Sequence, residues 1–379
     1  MNCCNNNYNC LVYDIGSSFI RCGQAGYGFP DISQPTICSE NPDGSISFYI
    51  SSVKNQEIKS IIDSSYSFTD KNIMGNFFKY SIDKIGVTLD EELNALFTYP
   101  GHLASSSEHR LKWQSTLCEV GFEETGFHNI SLVSDASLSA YAHCLQTALV
   151  VDFGWSSLRI VPVVEGIPQY NQIKIHPIGG FGLCQLLNEQ LKLRNINTFN
   201  DQKLSNEQNE YFNRRILTDI LHSCCSFAQS VIDEDFLYFL NERPIDLKSE
   251  MTLISKIHFN ELEGDTEDDN VPSIIELIKS AINECNDVEK RNLWGNIVTS
   301  GGFAGLNSFI DNLQIGLKET SDPRFNVKVN YPMSCNISFD QMVWTGGSIF
   351  GSSSVFHHFL ISKEDWEENG ESLLNVKFK

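Results

Sequence analysis

Two distant segments of the chain share one pattern of apolar and polar positions. Residues 11–23 and 148–162 each begin with an apolar strand, pass through an Asp-x-Gly turn at Asp14 or Asp152, and continue into a second strand. This pattern predicts a β-hairpin in both places. One copy carries little information, because turns often contain Asp and Gly for backbone reasons alone. The repetition predicts two similar domains that face one another.

Two glycine pairs follow apolar runs further along the chain. Residues 296–302 are predicted to form a strand that ends at Gly301 and Gly302, and residues 342–348 a strand that ends in a second pair. Each pair precedes a helical pattern. Glycines at a strand-to-helix turn let a ligand approach the backbone, and a helix N-terminus favours anions. The alternative for each pair is tight packing of a helix on a sheet.

The remaining patterns are mostly helical or polar. Helices are predicted over residues 105–121, 135–146 and 206–231, and a short helix between Ser362, which caps it, and Gly370, which ends it. Residues 37–73 are polar and Ser-rich, and are interpreted as a small appended subdomain. Six acidic residues within 261–269 are interpreted as a solvated loop rather than a metal site.

Composition narrows the class of protein. With 379 residues, 41% apolar and 20% charged, the chain is expected to form two to three soluble globular domains. The net charge of −21 argues against direct binding to nucleic acid or to an anionic membrane, but contact with DNA through partner subunits stays open. The N-terminus does not resemble a secretory signal, and no apolar run reaches the roughly 20 residues of a membrane span. We therefore expect an intracellular protein without membrane insertion.

The chain has twelve cysteines. None of them are spaced as C-x-x-C, and two pairs, Cys3 with Cys4 and Cys224 with Cys225, are directly adjacent in sequence. Tetrahedral zinc sites usually take their ligands from two spaced pairs, which are absent from this sequence. We expect most of these cysteines to be reduced thiols that behave as small apolar side chains.

The ordered motifs resemble those of the actin family. The first hairpin is similar to actin's first phosphate loop, and residues 152–154 to the start of the second. Residues 161–166 with 178–180, residues 300–302, residues 343–348 and residues 361–370 resemble further family segments in the same order. The resemblance extends from residue 11 to residue 378.

This resemblance implies an α/β protein with the actin-like ATPase fold, in which two ribonuclease-H-like domains surround a central nucleotide cleft. It implies a first large domain over residues 1–142, with a small appended subdomain at 36–72. It implies a second large domain over 143–341, with subdomain four at 179–259. Residues 342–379 would form C-terminal helices that return to the first domain.

The resemblance also implies a set of cofactor-binding residues. ATP or ADP with Mg²⁺ would be the cofactor, and Asp14 and Asp152 would hold the metal through its water ligands. An empty cleft is the alternative. The implied cofactor-binding residues are Asp14, Gly16, Ser17, Ser18, Arg21, Asp152, Gly154, Gly180, Gly301, Gly302 and Phe303.

Several positions depart from the family pattern. Asp135 lies where actin has the glutamine that positions the attacking water, Arg159 where it has a supporting histidine, and Trp155 where it has a second acid. The altered positions around the nucleoside are Phe181, Gly182, Leu221, His222, Leu306 and Asp340. Losing one buried polar partner can cost ~1–3 kcal/mol, so we expect weak or no ATP hydrolysis and assign no catalytic residue. Asp135 is either a general base that faces water or a structural residue.

We therefore expect a structural subunit of a multiprotein assembly, with other actin-fold subunits or further proteins as partners. The absence of long insertions favours a cytoplasmic, cytoskeletal assembly similar to dynactin over a nuclear chromatin-remodelling complex. An ATP-dependent enzyme of the sugar kinase and chaperone superfamily is a further alternative, and so is a divergent filament-forming actin. Residues 37–73 contain no recognisable copy of the loop that docks actin into the next filament subunit. We therefore expect filament growth to be weak.

Overall fold

The structure is a computed structural model that describes residues 9–377, except 42, 49–56, 64–66, 89–92, 102–106, 228–236, 241, 258, 260–271 and 333–336. The predicted acidic loop at 261–269 lies outside the described residues. No helix in the described ranges is both long enough and apolar enough to cross a membrane.

The elements up to residue 142 alternate strands with helices. In chain order they are β1 (Cys10–Ile15), β2 (Phe19–Gln24), β3 (Ile32–Pro35), β4 (Ile37–Glu40), β5 (Ile46–Ser47), β6 (Glu57–Ser60), α1 (Lys71–Ile85), β7 (Asn94–Tyr99), α2 (Ser107–Glu119), β8 (Asn129–Ser134) and α3 (Asp135–Ala142). A π-helical turn, Val120–Thr125, extends α2.

The rest of the chain repeats the strand pattern and then becomes mostly helical. In chain order the elements are β9 (Ala148–Phe153), β10 (Leu158–Val164), β11 (Ile167–Pro168), β12 (Lys174–His176), α4 (Gly180–Leu193), α5 (Asn206–Cys224), β13 (Leu237–Leu240), β14 (Arg243–Asp246), α6 (Lys248–Ile257), α7 (Ile274–Asn283), α8 (Asp287–Gly295), β15 (Ile297–Ser300), α9 (Phe309–Thr320), β16 (Val329–Asn330), α10 (Met342–Gly351), β17 (Ile361–Ser362), α11 (Lys363–Asn369) and α12 (Ser372–Lys377).

Two larger sheets organise these elements. The first has the strand order β17-β8-β7-β1-β2-β3, and the second β11-β10-β9-β15-β16 with β12 also paired to β10. In both sheets the predicted hairpin is antiparallel, β1 with β2 and β9 with β10. In both, the first hairpin strand pairs in parallel with a later strand, β7 or β15. The hairpin predictions are therefore confirmed, while the exact bounds of the domains stay a prediction.

Each sheet has its own apolar core. The first core contains the aromatic cluster of Tyr13, Phe78 and Phe97, whose ring centroids lie 4.8–5.1 Å apart. The second core surrounds the β9 strand and includes Phe153 and Phe309, at 5.2 Å. Aromatic packing of this kind stabilises a core beyond the area that it buries.

Local sequence signals explain where several helices begin and end. Helix α5 starts with a capping box, in which the Ser205 hydroxyl and the Gln208 amide each accept from the other residue's backbone N–H. Helix α11 is capped by Ser362, whose hydroxyl accepts from the Asp365 N–H, and Gly370 follows its last residue. The predicted helices are confirmed in their described parts, except that α3 ends at 142 and α5 at 224.

The cysteine prediction agrees with the described part of the chain. Nine cysteines fall in the described ranges, all nine are free thiols, and seven of them are buried. Burial raises the pKa of Cys184 to about 11, so this thiol stays protonated at neutral pH.

The predicted strand at 342–348 is wrong. These residues lie in helix α10, and the glycine pair is inside the helix rather than at a strand end. A methyl group on Gly346 would overlap the backbone oxygen of Leu138 in α3, and one on Gly347 would press on Val12 of β1. The glycines therefore serve close packing of α10 on α3 and on the first sheet, which is the alternative that the sequence left open.

We expect Gly346→Ala to destabilise the protein by about 3 kcal/mol, since the added methyl meets backbone rather than a side chain that can move. Gly28→Ala is the control, because a Cβ at Gly28 has no heavy atom within 4 Å. Urea unfolding followed by tryptophan fluorescence measures both. Equal midpoints for the two variants would contradict the packing argument.

Candidate functional site: a cleft between the two hairpins

A cavity of about 530 Å³ lies where the turns of the two hairpins meet the end of β15. Its volume is within the range of sites that bind small molecules. Eleven of the twelve predicted site residues line it: Asp14, Gly16, Ser17, Ser18, Arg21, Asp135, Asp152, Gly154, Gly301, Gly302 and Phe303. Gly180 is the exception. A side chain at Gly180 would overlap the ring of Phe303, so this glycine lets Phe303 pack against the start of α4.

The hairpin turns form one wall of the cavity and have the chemistry of an anion site. The Gly16 N–H donates to the Phe19 carbonyl at 3.0 Å, and the Gly154 N–H to the Ser157 carbonyl at 3.1 Å. These bonds tighten both turns in the same way. Between them, the hydroxyl-bearing residues Ser17, Ser18, Ser156 and Ser157 line the cavity. Backbone and hydroxyl donors at such turns suit phosphate oxygens.

Gly301 is required by its backbone conformation as well as by space. Its φ of 87° lies in the left-handed region, where a side chain is strained. A side chain there would also overlap the Phe153 carbonyl. The end of β15 therefore approaches the β9–β10 hairpin more closely than any other residue type allows.

Arg21 connects two carboxylates at one side of the cleft. It stands directly opposite Asp14 in the β1–β2 register, and its guanidinium lies 3.5 Å from the Asp14 carboxylate. The same guanidinium lies 2.5 Å from the carboxylate of Asp340, in the turn before α10. We call this set, Asp14–Arg21–Asp340, the first arginine bridge.

Arg159 makes the corresponding set in the second hairpin. It stands opposite Asp152 in the β9–β10 register and bonds its carboxylate. It also lies 2.8 Å from the carboxylate of Asp135, the first residue of α3. The other oxygen of Asp152 accepts from the Ser300 hydroxyl at 3.0 Å. We call the set Asp135–Arg159–Asp152 the second arginine bridge.

Both oxygens of Asp135 are engaged. Its Oδ1 accepts from the backbone N–H of Gly101 at 2.8 Å and from that of Ala136 at 2.7 Å, while Oδ2 pairs with Arg159. A general base needs a carboxylate oxygen that reaches the proton to be removed. This arrangement favours the structural alternative for Asp135.

Burial and neighbouring acids shift two of the carboxyl groups. Burial raises the pKa of Asp14 to about 7, opposed by Arg21 and assisted by the three other acids of the cleft. Burial also acts against ionisation of Asp340, but Arg21 and the Ser338 hydroxyl outweigh it and hold the pKa of Asp340 below its usual range. The first bridge therefore contains one fully ionised acid and one that titrates near neutral pH.

Aromatic rings surround the end of the cleft where the resemblance places the nucleoside. The ring of Phe303 lies 5.1 Å from that of His222 and 6.1 Å from that of Trp155, which in turn is 5.8 Å from Phe181. Burial lowers the pKa of His222, so its ring is neutral at pH 7. This end offers stacking surfaces rather than the charged pairs that actin is expected to have.

Only His222 and Asp340 of the six positions expected beside the nucleoside line the cavity, while Phe181, Gly182, Leu221 and Leu306 do not. Leu221 and Leu306 are buried in the second core, and only His222 of the pair at 221 and 222 reaches the cleft. Helical geometry explains this difference, because consecutive residues on α5 point about 100° apart and one of them must face the core.

The predicted metal position does not fit a cation. Asp14 and Asp152, the two carboxylates implied for it, each face a guanidinium of the same chain. A divalent cation would have to compete with Arg21 and Arg159 for the same oxygens. Within the described ranges, no three His, Cys, Asp or Glu side chains are grouped so as to hold a metal ion. The hairpin turns fit an anion, whereas the two carboxylates implied for the metal are already paired with arginines.

Sequence reasoning identified these positions one by one but missed the bridges between them. The missed signal is a spacing. Asp14 and Arg21 are seven residues apart, and so are Asp152 and Arg159, with the turn centred between them in both hairpins. Residues directly opposite in an antiparallel pair share a face, so this spacing predicts an Asp–Arg contact twice.

Comparison with known proteins agrees with this geometry. A family model described as Actin matches residues 5–379. The chain is 23% identical to actin-related protein 4 of Yarrowia lipolytica, covering 97% of this chain and 95% of that protein. It is 23% identical to actin-related protein 2 of Saccharomyces cerevisiae, at 97% and 98% coverage, and 24% identical to actin-related protein 6 of Arabidopsis thaliana, at 98% and 99%. With paired hairpins, two sheets and a family match along nearly its whole length, the chain is a divergent actin-related protein that belongs to the actin family and has the actin-like fold.

Proposed function

We propose that this actin-related protein is a structural subunit of a multiprotein assembly, with weak or no ATP hydrolysis. The observation that carries the proposal is the bonding of Asp135. This residue occupies the position that the resemblance gives to the water-positioning glutamine, and both of its oxygens are used by Arg159 and by backbone N–H groups. An acid bonded in this way holds structure rather than orienting a nucleophile.

An exposed apolar face supports the role in an assembly. Five large side chains near the C-terminal end of α10 are exposed, Tyr27 by 64% and the others by 43–57%: Tyr27, Phe29, Ile349, Val355 and Phe359. The loop that carries Tyr27 is bonded to α10, since the Ser348 hydroxyl donates to the Tyr27 carbonyl at 2.8 Å. Large apolar groups grouped on a protein surface are typical of protein–protein contacts.

The setting that we propose is a cytoskeletal assembly similar to dynactin, in the cytoplasm. It is supported by the actin-like length of the chain, which has no long insertion. A nuclear chromatin-remodelling complex is the second candidate. The relatives carry three different actin-related protein numbers at 23–24% identity, so they support the family and do not favour one setting.

We expect the purified chain to hydrolyse Mg-ATP at the background rate, and Asp135→Asn to leave that rate unchanged. A phosphate-release assay measures this. Turnover by the wild type that is lost in Asp135→Asn would favour the enzyme alternative, with Asp135 as its general base. Nucleotide released from the purified protein and resolved by chromatography shows separately whether any ATP or ADP is bound.

We expect the tagged protein to co-purify with stoichiometric partners from its own cells, in particles far larger than its own 42.7 kDa. Replacing Tyr27 and Ile349 with serine should reduce that recovery at least several-fold, because both lie on the apolar face. Val288→Ser is the matched control, since Val288 is 87% exposed on α8. Equal loss in the control, or none in the double variant, would exclude this face. Dynactin subunits among the partners favour the cytoskeletal setting and a chromatin motor ATPase favours the nuclear one.

We also expect the purified chain to remain in the supernatant when it is centrifuged in polymerising salt, because it lacks a recognisable docking loop. Actin under the same conditions is the control. Regular filaments of the pure chain, seen by electron microscopy, would contradict the expectation and favour a divergent filament-forming actin.

A further inference from the structure

The two arginine bridges connect the two halves of the molecule across the cleft. Arg159 and Asp152 belong to the second sheet, whereas Asp135 begins α3 directly after β8 of the first sheet. The contact between Asp135 and Arg159, at 2.8 Å, therefore crosses from one sheet to the other.

The first bridge crosses in the opposite direction. Arg21 belongs to β2 of the first sheet, and Asp340 lies in the turn before α10. That turn is bonded to the second sheet at the end of β15, where the Gly301 N–H donates to the Phe339 carbonyl at 3.0 Å. Each hairpin thus holds its own Asp–Arg pair, and each arginine reaches a second acid on the other side.

These contacts are shielded from water except at Asp340, whose side chain is 39% exposed. Side-chain exposure is 8% for Arg21 and 13% for Arg159, and it is 10–13% for Asp14, Asp135 and Asp152. Buried pairs are screened by salt much less than surface pairs. A guanidinium also presents five N–H donors in a fixed plane, so one arginine can bond two carboxylates at once.

Positive charge stands where the resemblance implies a divalent ion. Arg21 stands where the resemblance places a lysine and keeps that charge, whereas Arg159 stands where it places a histidine and adds one. The two guanidinium groups contact the same two carboxylates that the family resemblance assigns to Mg²⁺. An ion can leave with a chelator, but an arginine side chain is part of the chain. The neutralising charge is therefore permanent.

We infer that Arg159 takes the place of the divalent cation of the cleft, and that it and Arg21 hold the two halves of this protein together without cation or nucleotide. This inference goes beyond the proposed role in an assembly and does not depend on which assembly it is. It explains how an actin fold with an altered nucleotide site keeps a defined shape.

Thermal unfolding of the isolated full-length chain tests the inference. The wild type, treated with apyrase, is melted in EDTA, in millimolar MgCl₂, in CaCl₂ and in Mg-ATP. We expect the four Tm values to agree within about 1 °C, since both carboxylates implied for the cation are already paired with arginines. A Tm that falls by several degrees in EDTA, or rises by several degrees in MgCl₂, would overturn the inference.

Arg159→Gln supplies the second arm. It leaves Asp135 and Asp152 together without a positive partner, so we expect a Tm lower by roughly 5 °C or more in EDTA. It also opens the position to an ion, so MgCl₂ or CaCl₂ should restore most of that loss. If no divalent ion reverses the destabilisation, the role of Arg159 is only structural. The inference that this arginine takes the place of the cation would then be wrong.

Arg324→Gln is the matched control. Arg324 forms an exposed ion pair with Asp322, so we expect little change in Tm and no response to divalent ions. Should Arg159→Gln fail to fold, Arg159→Lys retains the charge but not the planar fork, and we expect an intermediate Tm that still ignores EDTA. None of these measurements needs a partner protein. A result that contradicts this inference would therefore leave the proposed role in an assembly untouched.

Discussion

Four carboxylates meet at the junction of the two sheets, and removing charges from water costs free energy unless each finds a partner. Arg21 and Arg159 supply those partners, and each arises from the same hairpin as one of the acids it bonds. The arrangement follows from the repeated Asp-x-Gly turn. Because the two hairpins face each other, their acids lie close together, and the position of the arginines decides whether the junction holds. The rest of the cleft depends on this balance between acidic and basic side chains.

The same balance limits what the cleft can bind. Four acids and two arginines give −4 + 2 = −2 when all are ionised, and the raised pKa of Asp14, about 7, is one response to that excess. The serine-bearing turns offer donors to an anion, but the acids behind them repel one. Without a cation to offset its charge, a triphosphate would meet both effects at once. This balance agrees with the proposed role, in which the cleft joins two halves rather than turning over ATP.

Local patterns in the sequence predicted what depends on local structure. The hairpins, the capped helices and the turns at Gly16 and Gly154 each follow from short stretches of sequence, and the structure confirms them. Helix α10 was misread as a strand because its apolar residues run up to a glycine pair. The reason for that pair is the backbone of α3, about two hundred residues earlier in the chain, which no local pattern reveals.

For the site too, positions could be predicted from the sequence but the contacts between them could not. The family resemblance supplied the positions, and eleven of the twelve predicted residues line one cavity. The resemblance did not supply the partners of Arg21 and Arg159, because a side chain that differs from the family pattern has no counterpart from which to copy a contact. Those partners depend on distances between the two sheets, which only the folded chain defines.

The misread helix and the missed bridges are connected. Asp135 is the first residue of α3, and Asp340 lies just before the first residue of α10. These two helices pack closely where Gly346 approaches Leu138. Their crossing therefore fixes the separation of the two acids that receive the arginines from the opposite sides of the cleft. Gly346 permits this close crossing, so the glycine bears on the charges of the cleft without touching them.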